Sequence, residues 1–494
     1  MSDTRPRVFT IPPHVAFVDA LAEGLIARTR DDPMRLARAT VLLPNRRAVR
    51  ALTDAFVRLS GGGGLLLPRM TPIGDIDEDE ALGSFADDLF AGADVSPAVD
   101  SCERRLLLCD IVRRWRARRG EPATAVEALR LADELARTLD QLEFEEKDAL
   151  DLMTVAPAEL AQHWQTTLEF VQIIYDEWPG VLTALGKVDS ARRRNALMHD
   201  LITRWESIDR PQSMIVAAGM VATAPVVGDL LRVIARLPDG VVVLPGLDCD
   251  MPEAEWQAIR CHLADPDAEP RDDSESHPQF SFRCLLERMR VARGEVETWP
   301  VTTPADGPPA RTAALARAMA PAQFTNEWRS LDIAADALDG VRLLEAADPG
   351  EEAQAIALAM RRQLETSGRT AALVTPDRGL ARRVAAHLQR WGLAIDDSAG
   401  TPLRVTPPGT FMLALAEAAA QGFAPVPLLA LLKHPLVRRE GRLTWLDGAR
   451  GLDLALRGVR PPPGLDGIDA QLHDARLEAL ARKDMGKAAA IEAV

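Results

Sequence analysis

An α/β fold in two units, the first interrupted by a long all-helical stretch, is what this sequence predicts. Three observations carry that reading. Short apolar runs of strand length alternate with amphipathic segments of helical period; the stretch from about 98 to 210 is helical in period almost throughout; and strand signals return after it.

The first strand is Arg7-Val8-Phe9-Thr10-Ile11, followed by a helix from Val15 to Ile26 with its apolar residues at helical spacing. A second strand, Ala39 to Leu43, ends at Pro44-Asn45 and runs into a helix from Arg46 to Leu59. The four glycines 61–64, the short apolar run Leu65 to Leu67 and an acidic loop, Asp75 to Glu80, come next. After the helical stretch, strands at Met214 to Ala218 and Val241 to Leu244 flank a helix capped near Thr223 with Pro225 in its first turn, which makes a βαβ unit. A new α/β unit opens with a strand at Val341 to Glu345, a helix from Glu351 to Leu364 and a strand at Ala371 to Thr375. The expected organisation is therefore 1–97 with 211–300 as the first α/β domain, 98–210 as an all-helical insertion, 301–340 as connector, 341–435 as the second α/β domain, and 436–494 as the start of a further helical region.

Composition bounds the function. The 494 residues carry 58 Lys plus Arg against 73 Asp plus Glu, a net charge of −15, so any nucleic-acid contact must be a local patch or channel. Only five of the basic residues are Lys, and arginine density is discounted accordingly. Five cysteines without a C-x-x-C pair support neither a zinc ribbon nor a disulfide framework, and a reducing cytoplasm is the simplest setting. There is no apolar signal core and no run of membrane-span length. Aromatic residues make up 4% of the chain, which disfavours extended base stacking as a binding mode.

The first strand and helix are of the kind that build a phosphate-binding loop, but the connection is Pro12-Pro13-His14. Such a loop needs glycines whose N–H groups wrap the phosphates, a Lys, and a Ser or Thr for Mg²⁺. Two prolines remove two donors and fix φ. The nucleotide site is expected to be degenerate.

One strand-to-helix turn occurs twice. Val41-Leu42-Leu43-Pro44-Asn45-Arg46-Arg47-Ala48-Val49-Arg50 and Leu373-Val374-Thr375-Pro376-Asp377-Arg378-Gly379-Leu380-Ala381-Arg382-Arg383 each place an Asx cap before an Arg, with a second Arg four residues on. Arg in a first turn opposes the helix dipole, an arrangement that makes sense if a phosphate sits there. Arg46, Arg47, Arg50, Arg378, Arg382 and Arg383 are therefore candidate DNA-phosphate ligands, the alternative being ordinary solvated arginines. Elsewhere the bland reading is preferred. Asp75 to Glu80 lacks the glycine and terminal Glu of a calcium loop, Cys249 with Cys261 and His262 lacks a fourth ligand, and Cys102 with Cys109 reads as core. His277-Pro278 and His434-Pro435 read as turns. The run Arg113 to Arg119 around Trp115, like Arg192 to Arg194, suits a solvated helix face as well as a DNA backbone.

Seven stretches taken in order resemble the AddB family, the partner subunits of AddAB double-strand-break helicase-nucleases, in alphaproteobacterial form. They are Val8 to Pro13, Leu42 to Arg47, Leu67 to Asp75, Val243 to Asp248, Thr375 to Arg378, Asp396 to Gly400 and Leu432 to Leu436. The resemblance implies two RecA-like domains of superfamily 1 helicase type, the motor subunit AddA as partner, and DNA, especially the single strand from a broken duplex end. Full members continue into a second helical insertion and a nuclease domain with an Asp, Asp/Glu, Lys metal site and a four-cysteine iron-sulfur cluster. Neither motif set occurs here, so the chain is expected to be the amino-terminal half of such a protein, with no cofactor of its own. Where an active helicase has its Mg²⁺-holding Asp-Glu pair, this chain reads Ala217-Ala218-Gly219-Met220. The expectation is a catalytically silent, cytoplasmic subunit that guides and reads DNA; the rivals are an ATPase with an unusual nucleotide site and a pure scaffold.

Overall fold

A computed structural model describes residues 5–73, 95–147, 177–207, 210–221, 224–261, 275–300, 302–438, 440–482, 484–486 and 491. The acidic segment 75–80, Thr223 and His262 lie outside those residues. The chain divides into two compact units, Met1–Val341 and Arg342–Val494.

The first unit is built on a six-stranded sheet: β1 (Val8–Ile11), β2 (Thr40–Leu43), β3 (Arg69–Pro72), β4 (Ile215–Ala218), β5 (Gly240–Pro245) and β6 (Glu297–Thr298), in the order β3-β2-β4-β5-β1-β6. All five pairings are parallel, with Val8 opposite Val242 and Thr40 opposite Ile215. A parallel sheet needs a crossover between each pair of strands and helices on both faces, which is why its strands read as nearly continuous apolar runs. The pleat sends alternate residues to opposite layers. Val41, Leu43, Val216 and Val243 pack with α1 (Phe17–Arg28), α2 (Pro33–Arg38) and α3 (Arg46–Leu59), through Leu21, Leu36 and Phe56 among others. Leu42, Ala217 and Val242 pack on the other side with the helices that follow β3 in the chain. This α/β architecture is compatible with a RecA-like fold.

Between β3 and β4 the described residues are helical, apart from one isolated bridge of Ala98 with Val188. α4 (Ser101–Arg118) and α5 (Ala125–Phe144) share a core of Leu108, Ile111, Val112, Ala132 and Leu135. α6 (Ser190–Glu206) instead joins the sheet, burying Leu197, Met198 and Leu201 against α7 (Pro225–Ile234). α7 is capped at Ala224 without a side-chain bond, and Pro225 stands at its first turn as its lost N–H permits. Cys109 is core as expected, but Cys102 is exposed in the first turn of α4. The arginine run ending α4 is largely tied up within the chain: Arg114 to Asp110 (2.7 Å), Arg116 to Glu121 (2.7 Å) and Arg118 to Glu177 (3.0 Å), while Trp115 is buried.

Beyond β5 come α8 (Glu253–Ala258), α9 (Phe280–Met289), β6 and α10 (Pro309–Ala318). Cys261 and Cys284 form a disulfide, their Cα atoms 5.4 Å apart, which departs from the expected absence of any such framework. No motif marks a pair 23 residues apart; the packing of α8 against α9 brings them together. Immediately after β6, Trp299 is 1% exposed, donates its indole N–H to the Ala20 carbonyl (3.0 Å) and meets Phe9 edge-on. It fits because residue 24 of α1 is glycine: a Cβ there would lie 2.2 Å from the indole nitrogen.

The second unit contains α11 (Pro349–Leu364), α12 (Arg378–Arg390), α13 (Pro407–Ala420), α14 (Pro425–Leu432), α15 (Arg442–Ala455) and α16 (Leu465–Ala481). α11 and α12 pack through Ala353, Ala357, Leu380, Val384 and Leu388. The two strands expected here do not form among the described residues. Residues 341–345 and 371–375 are unpaired in any sheet; Leu373 packs on the helical core, whereas Val374 is 94% exposed and Leu343 90%. The apolar, β-branched composition that predicts strands is present, but a strand also needs a hydrogen-bonded neighbour. Among the described residues no helix is long and apolar enough to cross a membrane.

Candidate functional site

In open α/β sheets ligands bind outside the carboxyl ends of the strands, where neighbouring connections depart in opposite directions. One such place lies between β1 and β5. The chain leaves β1 through α1 towards β2, on the layer of α1 and α3, and leaves β5 through α8 and α9 towards β6, on the opposite layer. A cleft of about 820 Å³ opens there, lined by the residues after β1, those after β5, the start of α9 and one side of α10. It is in the size range of small-molecule sites.

Pro12, Pro13 and His14, the turn expected to be a degenerate nucleotide position, line this cleft. Val15 spends its N–H on the Pro12 carbonyl (3.1 Å), the His14 carbonyl accepts from the Asp306 N–H (2.8 Å), and His14 Nδ1 lies 3.3 Å from the Thr312 hydroxyl. No residue from Pro12 to Ala16 has positive φ, so successive N–H groups do not form an anion nest. The floor is set by Thr10, whose hydroxyl oxygen accepts from the Leu247 N–H (3.1 Å). Asp248 is a turn residue: its Oδ1 accepts from the N–H groups of Asp250 (3.0 Å) and Met251 (2.9 Å). Gln279 locks that turn to α9, accepting from the Asp248 N–H (3.0 Å) and donating to the Gly246 carbonyl (3.1 Å). The β4 end, Ala217-Ala218-Gly219-Met220, carries no carboxylate, and Gly219 sits at φ 74°.

The electrostatics oppose a polyphosphate. Arg311 is the one guanidinium in the lining among the described residues, and it donates to the carbonyls of Ala337 (3.1 Å) and Asp339. Asp248, Asp250 and Asp306 also line the cleft. Burial pushes the His277 imidazole below its ordinary value, so it is neutral at pH 7, and burial pushes the Cys249 thiol up, away from the reactive thiolate. Among the described residues no three His, Cys, Asp or Glu side chains are placed to hold a metal ion.

The repeated turns fold as capped helix starts. Asn45 Oδ1 accepts from the Ala48 N–H (2.9 Å), and Asp377 Oδ1 accepts from the Gly379 N–H (2.6 Å). In the first unit Arg46, Arg47 and Arg50 are exposed at the carboxyl end of β2. In the second unit Arg382 is exposed, Arg383 lies 3.6 Å from the Asp377 carboxylate, and Arg378 is held by both oxygens of Asp397 (3.0 and 2.6 Å). The Asp397 bonds push the Arg378 guanidinium further above its ordinary value. The two turns thus share a cap but not an arginine environment. Sequence reasoning missed Gln279, Asp306, Arg311 and Thr312; nothing in a linear pattern marks residues drawn into a cleft from a helix cap, a connection and a helix some 300 positions after β1.

Fold and cleft together define an α/β protein with a six-stranded parallel sheet and a ligand-sized crevice at the carboxyl ends of β1 and β5. Comparison with protein-family models and with curated proteins yields no match.

Proposed function

We propose that this chain is a non-motor subunit of an ATP-dependent DNA helicase-nuclease that processes broken ends for recombination, guiding and reading the single strand, with the motor supplied by a partner of the AddA kind. One observation carries the reading: a sheet compatible with the RecA-like fold has, at its ligand crevice, a proline-blocked, apolar turn with rim carboxylates in place of a phosphate cradle. The resemblance of the seven sequence stretches to AddB supplies the biological setting. Two RecA-like domains, with the helices between β3 and β4 as an insertion in the first, belong to the same proposal.

Mg-ATP is expected to leave the melting temperature unchanged. A ligand specific for the folded chain at 100 times its Kd would stabilise it by about 2.7 kcal/mol, a shift of several degrees. An ATP-dependent rise that disappears on replacing Pro12 and Pro13 would establish the rival reading, an ATPase with an unusual site.

DNA guidance is tested at the arginines. Arg50 and Arg382, together with Arg46, Arg47 and Arg383, are proposed to contact phosphates; Arg378 is engaged by Asp397 and acts by holding its own helix start. In the complex with its motor partner, Arg50→Ala and Arg382→Ala should each weaken single-strand binding alike for all sequences and lower the salt slope of log K by about 0.7. Arg58→Ala, which removes only the ion pair with Asp19 between α3 and α1, should leave the slope as it is. Unchanged slopes for Arg50 and Arg382 would leave the chain as a scaffold without a phosphate track.

A further inference from the structure

The crevice continues past its own rim. A second cavity of about 280 Å³ adjoins the first and shares with it His277, Pro278, Ala318 and Met319, so the two lie on either side of one apolar ridge. Among the described residues the ridge is exposed. Leu315 and Met319, four residues apart at the end of α10, are 56% and 54% exposed, and Trp328 beside the second cavity is 48% exposed. An apolar strip with a cavity at each side exceeds what a small molecule covers and matches the way a polypeptide inserts spaced apolar side chains into a groove.

Charge selects among polypeptides. Asp250 and Asp306 are exposed at the first cavity, and Asp248 adds a third carboxylate whose Oδ1 alone is committed to its turn. Among the described residues that line the cleft the one guanidinium is Arg311, which is spent on two main-chain carbonyls; Arg293, which reaches the Asp248 and Met251 carbonyls from outside the lining, is paired with Glu253. A segment with basic residues flanking its apolar anchors is therefore complementary, and an acidic one is repelled.

We propose that this groove receives an apolar, basic segment of a partner polypeptide, its side chains anchored in the two cavities and its cationic groups met by Asp250 and Asp306. The whole of the site lies within the first unit, and the proposal does not depend on the chain's binding DNA.

The probe is a fluorescein-labelled, end-blocked decapeptide with leucines at helical spacing and two arginines, followed by anisotropy with the full chain; its counterpart carries glutamates in place of the arginines. Saturable binding of the basic peptide, with the acidic one at least about tenfold weaker, is the expected result. Met319→Glu discriminates further. It adds negative charge at an exposed position, so attraction to the acidic surface in general would be kept or strengthened, whereas anchoring on the ridge should fall about tenfold. Asp250→Asn with Asp306→Asn should weaken binding several-fold and flatten its salt dependence. Absence of saturable binding, equal binding of the acidic peptide, or undiminished binding by Met319→Glu with an unaltered melting curve would each overturn the proposal. The ATP response of the same protein is read separately, so failure here leaves the nucleotide reading untouched.

Discussion

Replacing Trp299 with Ala is expected to destabilise the first unit by about 3–5 kcal/mol, the range for emptying a buried aromatic site. The indole fills the space beside α1, donates to the Ala20 carbonyl, meets Phe9 edge-on at 5.2 Å and lies under the Arg28 guanidinium at 4.4 Å. Partial burial of that guanidinium lowers its pKa from the ordinary value. The companion change tests the packing itself. Gly24→Ala would put a methyl 2.2 Å from the indole nitrogen and should cost about 1–3 kcal/mol by overpacking. With Trp299 already replaced, the same change should become stabilising by up to about 1 kcal/mol, because Ala is the better helix former and the clash is gone. Denaturant unfolding of the two single variants and the double variant gives the cycle. Additivity within about 0.5 kcal/mol would show that Gly24 and Trp299 do not meet as described.

The second large effect is expected at Arg104. Its side chain is 11% exposed and reaches Asp189, 6% exposed, through Nε (3.1 Å), while its terminal nitrogens bond Asp140 at 3.1 and 2.8 Å. Asp189 also accepts from the Trp178 indole N–H (2.9 Å). Arg104→Met strands the buried Asp189 carboxylate and should cost about 3–5 kcal/mol. Adding Asp189→Asn removes the uncompensated charge while keeping an oxygen for Trp178, and should recover a large part of the loss. A single-variant cost under about 1 kcal/mol, the level of a surface pair, would contradict the burial of this cluster.

Much of the first unit was legible along the chain. The strands at Val8, Thr40, Ile215 and Val241 are apolar on both pleat faces, and the caps at Asn45 and Asp377 form the bonds that their residue types favour. The conformation of Pro12-Pro13-His14, a turn without positive φ, was readable because proline's lost N–H and fixed φ act locally. The rest was illegible for a physical reason: it depends on partners distant in sequence. The pairing of Cys261 with Cys284, the capture of Arg378 by Asp397 and the exposed side of Cys102 all follow from which surfaces meet. So does the fate of 341–345 and 371–375, whose composition favours strands that no neighbour completes among the described residues.

By itself, then, the sequence determined an α/β chain with a helical stretch between two βα regions and a strand-to-helix turn with two prolines after β1, since periodicity, capping and proline geometry act over a few residues. The tertiary structure alone decided the strand order, the crevice between β1 and β5, and the meeting there of Pro13, Asp248, His277 and Thr312 from four separate segments. It also decided which arginines face solvent and which are held by carboxylates, because an ion pair is set by distance in space and burial, neither of which a linear pattern carries.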